Sequence, residues 1–122
     1  MKTRPSPADL LTAIAEPTRL RIVNCLAAAP LFVSDLQAIL KLPQPTVSRH
    51  LRILRDAGVV HDTAIGQFVL YRLRSSTDVD GRLIAAVLES LAVDDTFGAE
   101  RQRAADRNHT HTRSRAAEPV TA

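Results

Sequence analysis

The pattern of apolar and polar residues predicts two short helices at the start of the chain. The first covers about residues 6–15, because Ser6 can cap a helix and Pro7 is tolerated at its first position. A second helix restarts at Pro17 and continues to about residue 28, and Pro30 ends it. Their apolar positions recur at helical spacing and are Leu10, Leu11, Ile14, Leu20, Ile22, Val23 and Leu26.

The next two helices are predicted to meet at a tight turn. Residues 31–40 have a Ser/Asp start and enough apolar positions for a short third helix. Pro43 and Pro45 prevent one continuous helix through this region, although Pro45 is tolerated in the first turn of the following helix. Two helices joined in this way form a helix-turn-helix, the arrangement that presents its second helix to the major groove of DNA.

The fourth helix begins near Gln44 and has one apolar face. Val47, Leu51 and Leu54 recur at four- and three-residue steps, so they lie on the same side. Gly58 ends the helix, since glycine readily adopts a positive φ. A polar and basic face of this kind can contact base edges, although it is also typical of an ordinary solvated amphipathic helix. The polar side chains are Ser48, Arg49, Arg52 and Arg55.

A hairpin and one more helix follow. Residues 59–63 and 67–73 are rich in β-branched and aromatic side chains, and residues 64–66 join them as two strands of a wing. Capping residues at positions 75–80 begin a last helix with apolar residues at helical spacing. This apolar surface either packs on its own domain or forms, with helix 1, a dimer surface.

These elements define a mainly α fold with a small β-hairpin. The predicted architecture is a winged helix-turn-helix of about five helices and a two-stranded antiparallel wing, occupying residues 1–93. From residue 94 onward the apolar pattern fades. We therefore expect residues 94–122 to be a frayed helix end and a polar, disordered tail.

Charge and composition narrow the function. The net charge is +3 with a pI of about 9.7, and nearly all cations are arginine, which suits phosphate and guanine. There is no Gly-rich phosphate loop, and His50 and His61 fall on the predicted reading helix and wing, so no enzyme and no cofactor are predicted. The single cysteine and the lack of an apolar run of membrane-spanning length suit the cytoplasm.

Three segments in register resemble the ArsR/SmtB family of bacterial winged helix-turn-helix repressors. They are residues 15–23 (Ala-Glu-Pro-Thr-Arg-Leu-Arg-Ile-Val), residues 42–60 around the fourth helix, and Gly66 with residues 70–73 of the hairpin. The resemblance covers about residues 8–93. It implies a homodimer formed through helix 1 and the last helix, which binds an inverted-repeat DNA operator and releases it when an inducer binds.

The resemblance also implies where DNA is contacted. It places base contacts on Gln44, Ser48 and Arg49, and side-chain chemistry agrees, because Gln can pair with adenine and Arg with guanine. The wing tip lacks the basic residues common in the family, so a hydrogen bond from Gln67 is all we expect there. The other expected contacts are Thr46 and His50 beside the base-reading residues, and Arg52 and Arg55 on phosphates.

The sensor sites of the family are altered in this sequence. Segment 31–36 lacks both cysteines of the arsenic site, so arsenite binding there is not expected. Asp78 and Asp80 stand where relatives place zinc or nickel ligands, but capping of the last helix is the simpler interpretation. His109 and His111 are the other metal-binding candidates. Cys25 lies near a reactive cysteine of persulfide-sensing relatives, and it is either redox-active or simply a small buried residue.

The sequence therefore predicts a sequence-specific DNA-binding transcriptional regulator that acts as a repressor. The alternative is a winged-helix protein-interaction module that binds DNA only weakly and without sequence preference. The polar face formed by Gln44, Ser48 and Arg49 favours the repressor, because a protein-interaction face would carry exposed apolar anchors.

Overall fold

The computed structural model describes residues 6–75 and 77–117, with side-chain environments given through residue 108. This part of the chain contains six helices and three short strands, one helix and one strand more than the sequence predicts. In chain order they are α1 (Pro7–Ile14), α2 (Pro17–Ala28), β1 (Leu31–Phe32), α3 (Val33–Leu40), α4 (Gln44–Asp56), β2 (Val60–Ile65), β3 (Phe68–Leu73), α5 (Val79–Leu91) and α6 (Asp95–Ala117).

The first two helices begin where the sequence predicts, and Ser6 is the predicted cap of α1. The Ser6 hydroxyl accepts a hydrogen bond from the Asp9 backbone N–H at 3.2 Å, and the Asp9 carboxylate accepts one from the Ser6 N–H. Glu16 caps α2 by accepting a hydrogen bond from the Arg19 N–H at 2.8 Å. Side chains thus satisfy backbone donors that a helix start otherwise leaves unpaired, which confirms both predicted starts.

The helix-turn-helix is formed by α3 and α4. Lys41 ends α3 in the left-handed region, with φ 57° and ψ 49°, and Pro43 precedes the first turn of α4. Gly58, with φ 76°, lets the chain leave α4, and the Val59 N–H donates to the Leu54 carbonyl at 2.9 Å. The predicted turn and the predicted end of α4 are both confirmed.

The wing is a hairpin within a three-stranded sheet of order β1-β3-β2. Strands β2 and β3 pair antiparallel from Val60↔Leu73 to Ile65↔Phe68, across a tight turn where Gly66 has φ 61°. Residues 31 and 32, predicted as the start of a helix, instead pair with β3 as β1. A buried Leu31 and an edge-to-face contact between the rings of Phe32 and Phe68, 6.1 Å apart, account for this difference.

The apolar stripe of α4 lies in the core, as predicted. Val47, Leu51 and Leu54 are fully buried, and α4 packs against α2, α3 and β2. This packing holds one side of α4 in place and leaves the polar side facing outward. The fully buried side chains that surround the stripe include Ile22, Leu31, Leu36, Val59 and Val60.

The prediction of a disordered tail after residue 94 is wrong for the part that the structure describes. Helix α6 packs on α2 and also on α3, with Ala104 and Glu100 buried. The sequence shows no apolar stripe here, and the attachment includes hydrogen bonds and ion pairs from polar side chains of α6. His109 and His111 belong to α6 by their backbone, but their side chains lie outside the described residues. Within the described range, no helix has both the length and the hydropathy to cross a membrane.

Candidate DNA-binding site

The outward face of α4 displays the residues expected to read bases. Gln44 and Arg49 are exposed, while Thr46 and Ser48 are half-buried. The Gln44 amide Nε2 donates to the Ser48 hydroxyl at 2.7 Å, so the two side chains form a connected polar surface one helical turn long. The structure thus brings Gln44 and Ser48 together and places Thr46 and Arg49 in the same N-terminal half of the helix, the part of a reading helix that meets base edges.

Two arginines expected on phosphates differ in their surroundings. Arg52 is exposed, and no ion pair within 4.0 Å involves it in the described part of the chain. Arg55 instead lies 3.3 Å from the Asp62 carboxylate on β2 and 3.6 Å from Asp56. The hydrogen bond to Asp62 raises the pKa of Arg55. Arg55 therefore links α4 to the wing, and a phosphate would have to compete with Asp62 for it.

The structure does not place His50 on the exposed face. Its side chain is turned toward the start of α2, and the residue is only 9% exposed. The Arg19 Nη1 lies 3.3 Å from the His50 Nδ1, and the Glu16 carboxylate lies 3.8 Å from the same nitrogen. The expectation that His50 contacts DNA is therefore corrected. Its imidazole is buried against the start of α2 and supports α4 from the inner side.

Arg19 completes this support, although no sequence pattern pointed to a functional role for it. Its Nε donates to the Ala13 carbonyl at 2.6 Å, near the end of α1, while its Nη1 reaches His50. One side chain thereby connects α1, α2 and α4. The one related signal in the sequence is that Glu16 precedes Arg19 by three residues, a spacing at which a side chain can cap a helix. This spacing does not show that His50 would lie against Arg19.

The stability of the protein should depend on His50 in mildly acidic solution. Burial lowers the pKa of His50 in the folded protein, whereas the pKa of the same side chain in the unfolded chain is about 6.5. Between these two values the unfolded chain binds more protons. The free energy of unfolding therefore falls as the pH falls through about 6.5.

Urea unfolding at about pH 7.5 and about pH 5.5 tests this expectation. His50→Gln keeps a polar side chain that does not titrate, so its loss of stability over the same interval should be smaller than that of the wild type. An equal loss in the two proteins would show that His50 does not contribute to this pH dependence.

The wing offers little positive charge at its tip. Gln67 is exposed beside Gly66, at the turn between β2 and β3. Arg72 is exposed further along β3. Arg74 is engaged elsewhere, because its guanidinium donates to the Gly58 carbonyl at 3.2 Å and pairs with the Asp78 carboxylate. This arginine joins the end of α4 to the start of α5 instead of extending the wing toward a phosphate.

The candidate sensor residues have structural roles where the structure describes them. Asp78 caps α5 by accepting a hydrogen bond from the Gly81 N–H at 2.8 Å, and Asp80 lies in the first turn of that helix. Among the described residues, no three or more His, Cys, Asp and Glu side chains are grouped to hold a metal ion. Burial raises the pKa of the Cys25 thiol to about 12, so almost none of it is the reactive thiolate at neutral pH.

The fold and this polar helix face define a winged helix-turn-helix protein. Residues 16–62 match the family model described as bacterial regulatory protein, arsR family. The biofilm growth-associated repressor of Agrobacterium fabrum is 39% identical over 80 residues, which cover 66% of this chain and 67% of that relative. The chain therefore belongs to the ArsR/SmtB family of bacterial transcriptional regulators.

A further relative and a solved structure agree with this assignment. The HTH-type transcriptional repressor SmtB of Mycobacterium tuberculosis is 43% identical over 84 residues, covering 69% of this chain. The match spans only 58% of the length of SmtB. The structure of reduced HlyU from Vibrio cholerae is 34% identical, with a TM-score of 0.61, and the match covers 70% of this chain and 83% of HlyU.

Proposed function

We propose that this protein is a transcriptional repressor that binds an inverted-repeat DNA operator as a homodimer. The observation that carries the proposal is the polar N-terminal face of α4, held outward by a fully buried apolar stripe. A helix of this width fits the major groove, where each base pair presents a distinct set of donors and acceptors. SmtB and the Agrobacterium relative are both named repressors, which supports the same function here.

Base reading is assigned to Gln44, Ser48 and Arg49. Arg49 is exposed and suits the O6 and N7 acceptors of guanine, while the Gln44 amide suits adenine. Ser48 is already hydrogen-bonded to Gln44, so the two side chains can approach a base as one oriented pair. Thr46 lies beside them. Arg52 and Gln67 are assigned to the sugar-phosphate backbone, where contacts fix register without reading sequence.

The dimer is assigned to α1 and α5. Leu11 on α1 is 45% exposed, and Val79 at the start of α5 is exposed as well. Leu83 and Val87 are only partly buried within one copy of the chain. A second copy would cover these apolar side chains by two-fold symmetry and would place two α4 helices for two half-sites.

Leu11→Glu should weaken the dimer at least about tenfold, because it would bury a carboxylate in the apolar interface. Thr12→Glu is the matched control, since Thr12 is the next residue on α1, is also exposed, and gains the same charge. Sedimentation across a concentration series measures the dimer fraction. If both variants dimerise like the wild type, the interface does not include Leu11.

A gel-shift titration with the region upstream of the protein's own gene tests the proposed function. The expected result is a discrete complex of two chains per site, together with binding that weakens steeply as salt rises. A shuffled duplex of the same length should bind far more weakly. Equal binding to both duplexes would contradict the repressor and would instead fit a protein-interaction module with sequence-blind DNA affinity.

We also propose that an inducing signal releases the operator. No metal site among the described residues is assigned to that signal. Asp78 already caps α5 and pairs with Arg74, so its carboxylate is committed to the fold. We assign the protein to the bacterial cytoplasm, because its proposed partner is DNA.

A further inference from the structure

Helix α6 is attached to α2 through buried polar side chains. The Arg21 Nε donates to both carboxylate oxygens of Glu100 at 3.0 Å, and Glu100 is only 2% exposed. Asn24, which is fully buried on α2, donates to the Phe97 carbonyl at 2.8 Å and accepts hydrogen bonds from Arg101 at 2.9 and 3.1 Å. Directional contacts of this kind define one position of α6 along α2 more narrowly than apolar contacts would.

A second attachment reaches α3, the first helix of the helix-turn-helix. The Arg107 Nε donates to the Asp35 Oδ1 at 2.9 Å, and the Asp35 side chain is fully buried. The other oxygen of this carboxylate accepts a hydrogen bond from the Phe32 N–H at 2.9 Å, at the start of α3. One carboxylate therefore fixes where α3 begins and also holds α6 against it.

The position of α3 is one of the constraints on the position of α4. The two helices are joined by the short turn at Lys41–Pro43 and pack on each other. In a helix-turn-helix the first helix lies across the DNA backbone while the second enters the groove, so both must be held in one orientation. A change at the start of α3 would thus be transmitted to Gln44, Ser48 and Arg49 through rigid elements.

Only one partner of this ion pair is buried, because the Asp35 side chain is fully buried while the Arg107 side chain is 41% exposed. Removing the Asp35 carboxylate from water costs free energy, which its attraction to Arg107 offsets in part. What this directional contact provides is a defined position of α6 relative to the start of α3. The contact between Arg107 and Asp35 is the ion pair within the packing of α6 on α3.

We propose that Arg107 and Asp35 are positioning residues for operator binding, with α6 holding α3, and through it α4, in the orientation that reads bases. This inference rests on the proposed repressor function. Neither residue is assigned a contact with DNA. The consequence is that the C-terminal helix contributes to sequence preference from outside the helix-turn-helix.

Three variants distinguish a positioning role of Arg107 from an effect of its positive charge and from a loss of folding. Arg107→Gln removes the cation that faces Asp35. Arg103→Gln is the matched control, because Arg103 lies one turn away on α6, is 54% exposed, and is no closer than 3.8 Å to Glu100. Arg107→Lys keeps a cation near Asp35 and should restore most of the function. Each glutamine variant removes one positive charge, so their non-specific attraction to DNA should match.

A double variant guards against a simple loss of folding. Asp35→Asn combined with Arg107→Gln leaves no carboxylate at position 35 without its arginine, while the asparagine oxygen can still accept from the Phe32 N–H. Circular dichroism and thermal unfolding identify which variants are folded. The double variant should be folded and should bind the operator as weakly as Arg107→Gln.

Fluorescence anisotropy with the upstream duplex and with a random duplex provides the test. We expect Arg107→Gln to weaken operator binding about tenfold, with Arg103→Gln within about twofold of wild type and random-duplex binding alike in both. If Arg107→Gln and the double variant bind the operator as Arg103→Gln does, the positioning role is overturned. If the wild type itself prefers neither duplex, the proposed function fails, and this inference fails with it.

Discussion

Replacement of Leu51 by alanine is expected to lower the free energy of unfolding by about 2–5 kcal/mol, because it leaves a cavity under α4. Leu51 is fully buried at the centre of the apolar stripe of α4. A domain of this size has only about 5–15 kcal/mol of stability in total, so the variant should also lose much of its DNA binding at moderate temperature. Urea unfolding followed by circular dichroism measures the change.

Ile53→Ala serves as the control for this prediction. Ile53 lies on the same helix, two residues away, and is 38% exposed. Its truncation should therefore cost less than about 1 kcal/mol. If the two alanine variants were equally stable, the side of α4 that packs in the core would have to be reassigned.

Replacement of Arg49 by alanine is expected to reduce the preference for operator over random DNA about 10- to 100-fold. The reason is the loss of a bidentate contact to guanine, which is worth about 1–3 kcal/mol of discrimination. Arg49 is exposed on the outward face, so the fold itself should be unaffected. Titration of operator and random duplexes at one fixed salt concentration gives the ratio directly.

Arg52→Ala removes the same charge from the same helix and is the matched comparison. It should weaken binding to all sequences alike and reduce the slope of log affinity against log salt by about one. Arg55→Ala should have a smaller effect on that slope, since Arg55 is already paired with Asp62. If Arg49→Ala and Arg52→Ala changed both duplexes equally, base reading would not lie on Arg49.

The sequence was sufficient to predict the elements that are determined locally. The cap at Ser6, the helix start at Pro17, the stripe formed by Val47, Leu51 and Leu54, and the exit at Gly58 depend on residues within one or two turns of each other. Such signals survive in a linear sequence because helical periodicity and turn chemistry are short-range properties. The same signals identified the helix on which the candidate site lies.

Features that depend on distant contacts were mispredicted. The orientation of His50 is set by Arg19, 31 residues earlier, and periodicity alone left it on the edge of the reading face. Helix α6 was not predicted, because it has no apolar stripe. Its attachments include the pairs Arg21–Glu100 and Asp35–Arg107, which are separated by 79 and 72 residues in sequence. Polar residues with buried partners cannot be distinguished from solvated ones until those partners are known.

The central claim is that α4 reads a specific DNA sequence. A competition titration on the upstream duplex tests it most directly. With the labelled duplex bound, unlabelled upstream duplex and unlabelled random duplex are added separately at physiological salt. The account predicts that displacement requires at least about a thousandfold more random duplex than upstream duplex. Displacement by both duplexes at the same concentration would contradict it.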